Sequence, residues 1–206
     1  MKCFGVLALQ GDFREHTDTL RRLSVKTQEV RTPDDLEKVD ALILPGGEST
    51  TMANLLQRRT TSSEESSLAS KLTSLVKDGL PVWGTCAGMI ILARELTQAD
   101  PIPLGLMGIT VNRNAFGRQS ESFEQDLKIP ELGEAPIKAI FIRAPAIVEM
   151  DDNVTVLARL EDGTPVAAKQ NNMLVTAFHP ELTNDVRFHQ YFIETIATHH
   201  TTKLGL

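Results

Sequence analysis

Cysteine, long apolar runs and excess basic charge are all scarce in this sequence, and each shortage closes off a class of protein. Only two of the 206 residues are cysteine, Cys3 and Cys86. Cys3 opens an apolar run and Cys86 lies between glycines, so the two are chemically unlike, and no disulfide is expected in a chain without an export signal. No Cys-x-x-Cys or His/Cys cluster suggests zinc, and His199-His200 near the C-terminus reads as a solvated helix end. Nothing approaches the roughly 18 apolar residues of a membrane span. The run Cys3–Leu9 has only Lys2 before it as a basic residue and meets Gln10-Gly11-Asp12 with no small-x-small cleavage site. It reads as a first strand rather than a signal-peptide core, and the cytoplasm is the expected location. Lys and Arg total 21 against 27 Asp and Glu, a formal net charge of −6, and the Arg pairs at 21–22 and 58–59 are too small to reverse that field. A nucleic-acid partner is not expected.

What is present is ordinary for a soluble globular protein: 41% hydrophobic and 23% charged residues. A chain of this length buries roughly 70% of the surface its unfolded form exposes, so one domain spanning 1–206 needs no disulfide or metal staple. In the first half, short apolar runs alternate with helical patterns. Strands are expected at Cys3–Leu9, Val25–Val30, Ala41–Leu44 and Leu80–Trp83. Between them, helical spacing covers Phe13 to Leu23, a short helix starts at Thr32-Pro33-Asp34, and Thr50–Gln57 and Leu68–Lys77 read as helices. A further helix runs from Cys86 to Leu96. Repeated β-turn-α units imply parallel strands with right-handed crossovers and a sheet covered on both faces. The second half carries closely spaced strands at Ile109–Asn112, Phe123–Ile129, Ala139–Ile142, Val154–Leu160, Pro165–Ala168 and Met173–Phe178, then a helix at Asp185–Thr198. The expected fold is therefore three-layer α/β, with a mostly parallel central sheet, helices on both faces and an antiparallel extension. Thr60–Ser67 is polar and acidic with no apolar face and reads as a mobile surface loop.

Gly84-x-Cys86-x-Gly88, after a buried strand and before a helix, is the thiol version of a nucleophile elbow. A sharp strand-to-helix turn would hold the sulfur at the carboxyl end of the parallel sheet, where open α/β sheets bind ligands. The helix N-terminus favours a thiolate, and the backbone N–H of Ala87 is free to donate to an oxyanion. The plainer alternative is a buried structural cysteine. A thiol nucleophile needs a base. His16 sits mid-helix at an apolar-spaced position and reads as a half-buried packing or surface residue, while His189, His199 and His200 lie in the last helix and its tail. His179 differs, because it ends a strand and precedes Pro180-Glu181. In an extended segment residues i and i+2 point the same way, which lets Glu181 reach the imidazole and fix its tautomer. His-Pro-Glu could also be a loop with a surface ion pair. Pro45-Gly46-Gly47-Glu48-Ser49-Thr50 follows a strand and opens a helix without a Walker lysine or Gly-x-Gly-x-x-Gly. It suits a turn presenting the Gly47 N–H as a second oxyanion donor, or merely a tight turn with Ser49 or Thr50 as N-cap.

Six blocks together resemble one family. Leu9-Gln10-Gly11 with Glu15-His16, the turn Leu44–Thr51, Gly84–Gly88, Arg113–Gln119 (Arg-Asn-Ala-Phe-Gly-Arg-Gln), Phe141–Pro145 (Phe-Ile-Arg-Ala-Pro) and Phe178–Leu182 (Phe-His-Pro-Glu-Leu) are similar, in order, to the glutaminase subunits of pyridoxal 5′-phosphate synthase, the PdxT/SNO group of triad glutamine amidotransferases. The resemblance implies a class I glutamine amidotransferase-like fold and a catalytic triad of Cys86, His179 and Glu181. It implies glutamine contacts at Gly47, Glu48, Ser49 and Arg113, a closing pair at Ile142 and Arg143, and oxyanion donors at Gly47 and Ala87. It also implies ammonia delivery to a synthase (lyase) subunit in a large hetero-oligomer, with no cofactor or metal in this chain. Glutamine carries an α-carboxylate and an α-ammonium, so an Arg, and Glu48 or nearby carbonyls, are suitable holders. Arg118 reads as structural or interfacial. The 60–67 stretch is longer and more acidic than the family pattern leads one to expect. Two other readings stand beside this one: a γ-glutamyl peptidase on the same fold, and a catalytically silent regulatory module.

Overall fold

A computed structural model describes residues 2–58, 67–116 and 122–197. The 60–66 part of the acidic stretch, Arg118 and Gln119, and His199-His200 lie outside the described residues.

The centre is a seven-stranded sheet ordered β10-β11-β12-β4-β3-β1-β2. Its members are β1 (Cys3–Leu7), β2 (Lys26–Val30), β3 (Ala41–Leu44), β4 (Val82–Thr85), β10 (Thr155–Arg159), β11 (Pro165–Gln170) and β12 (Met173–Thr176). The block β12-β4-β3-β1-β2 is parallel, and β10 and β11 extend it antiparallel from β12. This is the expected mixed sheet. Five further strands leave it: β5 (Ala93–Leu96), β6 (Met107–Asn112) and β9 (Ala146–Met150) form one small sheet, and β7 (Ser122–Leu127) with β8 (Ile137–Ile142) another.

The helices are α1 (Phe13–Arg22), α2 (Pro33–Leu36), α3 (Ser49–Gln57), α4 (Leu68–Lys77), α5 (Ala87–Leu92) and α6 (Arg187–Tyr191), the last running on as a π-helical turn over Phe192–Ile196. Alternation along β4 shows how they layer. Trp83 and Thr85 face α1 and α6, where Trp83 stacks on Phe188 at 5.9 Å and meets His189 and Phe192. Val82 and Gly84 face the other way, and a Cβ on Gly84 would meet the Gly88 backbone of α5 at 2.5 Å. Period-2 alternation on a buried strand thus places one apolar set on each helical layer. No helix among the described residues is long and apolar enough to cross a membrane.

Three expectations need correction. The helix after Cys86 ends at Leu92, and Ala93–Leu96 is a strand parallel to β6; Ala93 lies buried with its backbone already extended (φ −54, ψ 151). The last helix begins at Arg187, because the Asp185 carboxylate accepts from the Arg187 N–H and closes a turn ahead of it. Ser67 does not belong to a mobile loop. It is buried and caps α4, its hydroxyl accepting from the Ser70 N–H at 3.1 Å.

Candidate active site

The carboxyl ends of β4 and β12 meet a cleft of about 310 Å³, near the lower end of the range for small-molecule sites. Asp12, Gly47, Glu48, Ser49, Cys86, Arg113, Ile142, Arg143 and His179 all line it, together with Ile90 and Asn114. Every sequence-derived candidate except Glu181 and Ala87 therefore opens onto one space, and those two lie directly behind it.

Cys86 joins β4 to α5 with φ 46 and ψ −99, a conformation that costs a non-glycine residue about 1–3 kcal/mol. The neighbouring glycines make the turn feasible by close approach. A Cβ on Gly88 would lie 2.2 Å from the Leu44 carbonyl oxygen, so only glycine lets α5 start hard against β3. The Cys86 N–H is held by the Thr176 carbonyl at 2.8 Å, which pins the elbow to β12. The sulfur lies 3.9 Å from the Ile142 carbonyl oxygen. Ala87 opens α5, where its N–H has no acceptor within the helix.

His179 follows β12 and is fixed by its own N–H donating to the Ile140 carbonyl at 2.9 Å. Its Nδ1 sits 2.8 Å from Glu181 Oε1 and 3.4 Å from Asp12 Oδ2. The route differs from the one the sequence suggested. Pro180–Leu182 is a 3-10 turn, not an extended segment, and the tight turn brings Glu181 back under the ring. Burial opposes a charge on His179, but hydrogen bonds with Asp12, Cys86 and Glu181, and the Glu181 charge, outweigh it and push its pKa up to about 12. Burial also pushes Glu181 upward, against the pull of His179. The atoms of Asp12, His179 and Glu181 lie within 4.8 Å of one another. Two acidic groups converging on one imidazole nitrogen make a nest for an imidazolium.

Glu48, not Ser49 or Thr50, is the N-cap of α3. Its carboxylate accepts from the N–H groups of Thr50 (3.0 Å) and Thr51 (2.6 Å) and from the Thr51 hydroxyl (2.7 Å). Slight burial works against its charge, but these hydrogen bonds prevail and lower its pKa to about 2. The Glu48 main chain is gripped at both ends by the Gln10 side chain, whose Oε1 accepts from its N–H at 3.0 Å and whose Nε2 donates to its carbonyl at 3.3 Å. Arg113 donates to the Thr50 hydroxyl at 3.2 Å and to the Asp100 carbonyl, and lies 3.6 Å from Glu48. Arg143, with φ 43, closes the far side beside Ile142.

Sequence reasoning passed over several residues here. Gln10 and Asp12 stand next to Gly11 and carried no signal beyond their motif. His16, expected to be half-buried or at the surface, is fully buried, as is His189. Its helical spacing with Phe13 and Leu20 marked a buried face, but nothing local announced a polar partner.

Comparison with known proteins identifies the family. The model of the SNO glutamine amidotransferase family matches residues 6–198. Pyridoxal 5′-phosphate synthase subunit PdxT of Carboxydothermus hydrogenoformans is 52% identical over 192 residues, covering 93% of this chain and 96% of that protein. The subunit of the same name from Roseiflexus castenholzii is also 52% identical, over 92% of this chain and 98% of its own. A crystal structure of a glutamine amidotransferase, 46% identical, superposes with a TM-score of 0.85 over 94% of this chain and 98% of its own. PurLQS from Thermotoga maritima, at 18% identity and a TM-score of 0.67 over 94% of this chain and 98% of its own, shares the fold. The chain belongs to the SNO glutamine amidotransferase family.

Proposed function

We propose that this chain, as one glutaminase domain spanning 1–206, hydrolyses L-glutamine to L-glutamate and ammonia in the cytoplasm. The ammonia passes to a synthase subunit that makes pyridoxal 5′-phosphate, the active form of vitamin B6, as the names of the half-identical relatives suggest. The observation that carries the reading is a strained cysteine and an imidazole between acidic groups, together at the floor of a cleft sized for a small molecule.

In the proposed reaction His179 holds the thiol proton, and the Cys86 thiolate attacks the glutamine Cδ. The amide C=O becomes an oxyanion received by the Gly47 and Ala87 N–H groups. The C–N bond then breaks as the imidazolium gives its proton to the departing nitrogen, and ammonia leaves a γ-glutamyl thioester on Cys86. Neutral His179 next takes a proton from water. Hydroxide adds to the thioester, and the C–S bond breaks to release glutamate and the sulfur. Glu181 keeps Nδ1 protonated throughout, so that the other ring nitrogen does the transfer. Arg113 and Arg143 face the α-carboxylate, while Gly47, Glu48, Ser49 and Ile142 shape the rest of the pocket.

Cys86→Ala should abolish ammonia release from glutamine while leaving the melting temperature close to that of the parent, since the thiol adds little to the core. Turnover retained by this variant, assayed together with the synthase subunit, would refute the role of Cys86.

A further inference from the structure

Glu181 is a buried carboxylate with two oxygens, and the triad accounts for one. Oε1 takes the His179 Nδ1–H at 2.8 Å, whereas Oε2 has no hydrogen-bond partner among the described residues. His16 Nε2, on a side chain sealed from solvent, lies 3.5 Å from Oε2. His16 Nε2 also lies 3.1 Å from Thr85 Oγ1, the residue before the nucleophile, and its Nδ1 lies 3.0 Å from His189 Nε2.

Tautomers follow from this pattern of contacts. A neutral imidazole carries one N–H. If His189 held its proton on Nδ1, that donor would be orphaned in the core, since His189 Nδ1 has no partner among the described residues. His16 would then donate from Nδ1 to His189 and turn a bare Nε2 lone pair toward the carboxylate. The opposite arrangement removes the orphaned donor and the clash of lone pairs, leaving only an unpaired acceptor at His189 Nδ1: His189 donates from Nε2 to His16 Nδ1, and His16 carries its proton on Nε2, aimed at Glu181 and Thr85. Burial keeps both rings neutral, with His16 well below its ordinary pKa and His189 lowered to about 3. The edge of Trp83 walls both of them in.

We infer that His16 is a positioning residue for the hydrolysis: oriented by His189, it supplies the N–H that holds the second oxygen of Glu181, and so keeps the first on His179 as that imidazole gains and loses its proton. The inference rests on the triad reading above. It gives a role to a histidine that touches neither the cleft nor the substrate. The groups facing Glu181 are His179 on its own turn, Asp12 ahead of α1, and His16 on α1, and Glu15, Asp18 and Arg22 of α1 line a surface pocket with it. His189 of α6 stands behind His16, with Arg22 acting on His189.

The test compares His16→Leu, which removes the donor at similar bulk, with His16→Gln, whose amide can present an N–H near the position of Nε2. Ammonia release from glutamine is followed in the presence of the synthase subunit. For His16→Leu the expected result is a kcat lowered about tenfold to a hundredfold, the size of one hydrogen bond to a charged group expressed through the transition state. KM should stay within about twofold, because the cleft is untouched. Glu181 should become harder to ionise, moving the acid limb of the kcat/KM profile up by about one pH unit. His16→Gln should recover most of kcat and the parental limb. A folded His16→Leu with parental kcat and limb overturns the inference. Should His16→Leu fail to fold, His16→Gln decides alone: near-parental values support the inference, and a loss as large as that of Glu181→Gln overturns it. Glu181→Gln measured alongside separates the two levels. If it keeps full activity, the triad reading itself fails; if it is inactive while His16→Leu is not, only the role of His16 falls.

Discussion

At the scale of single residues, the cleft separates side chains that carry charge for chemistry from one that spends its charge on structure. Glu48 belongs to the second kind as much as the first. Three of the roughly four lone-pair sites of its carboxylate receive donors of its own helix, leaving one direction for a ligand. The pH dependence follows from the sign of its shift. Its folded pKa of about 2 lies below the ordinary 4.5, so its contribution to stability is present above pH 4.5 and is lost as pH falls from there toward 2. Its side chain is 56% exposed, and solvent screening holds that contribution below about 1 kcal/mol. Glu48→Gln should flatten this part of the stability profile in urea titrations across that window. It should also raise KM for glutamine if the remaining lone pair holds substrate. An unchanged profile would mean that the cap is energetically silent.

Among the elements, the feature most exposed to test is the tie between α6 and the segment that precedes β8. Arg187 forms a fork on Asp185, with Nε and Nη2 both bonded to it. It also donates to the carbonyls of Leu132 (3.4 Å), Ala135 (2.7 Å) and Pro136 (2.9 Å). One guanidinium thus closes a loop on the strand that carries Ile142 and Arg143. Arg187→Leu should cost about 1–3 kcal/mol, the worth of charge-assisted bonds to a partly buried group. For a chain of this size that lowers the melting temperature by roughly 2–4 °C per kcal/mol. Lysine should recover only part, because an ammonium lacks the planar fork. A full recovery by lysine would show that charge alone matters there. This element also shows where sequence reading stops. β3 and α4 were legible to the residue because a four-residue apolar run and a capped amphipathic stretch each have one sensible state. Ala93-Arg94-Glu95-Leu96 reads as a continuation of α5 because it has good helix propensity, and its extended state as β5 comes from pairing with β6. β9 was missed because Ala146–Met150 follows Pro145 in a short mixed run that acquires meaning only against β6. The Cys86, His179 and glycine-turn residues were readable from motif spacing. The link from Glu181 to His16 and His189 joins His16 to two residues far from it in sequence, and the packing of α1 and α6 on one face of β4 brings them together.

For the whole molecule, the contrast is between where the reacting groups and the closing groups are rooted. Cys86 and His179 hang from adjacent strands of the seven-stranded sheet, held by its parallel ladder. Ile142 ends β8 and Arg143 follows it; among the described residues β8 pairs only with β7, in a separate two-stranded sheet. That pair meets the main body through the His179 N–H on the Ile140 carbonyl and through Phe141 against Phe178 at 5.5 Å. Two-stranded ribbons are marginal by themselves, so the wall that closes the cleft depends on these contacts and on the Arg187 tie for its place, and Arg143 at its end sits in a strained conformation. A partner surface that braces this wall would raise the fraction of molecules with a closed cleft. Glutamine hydrolysis should therefore rise severalfold when the synthase subunit is added. The gain should come mainly from kcat and shrink when β8 is already locked to β7 by a disulfide between cysteines replacing Glu124 and Ile140, which face each other across the ribbon. Equal rates with and without the synthase subunit, in the unlocked protein, would show that the closing wall needs no help and that the cleft is competent as it stands.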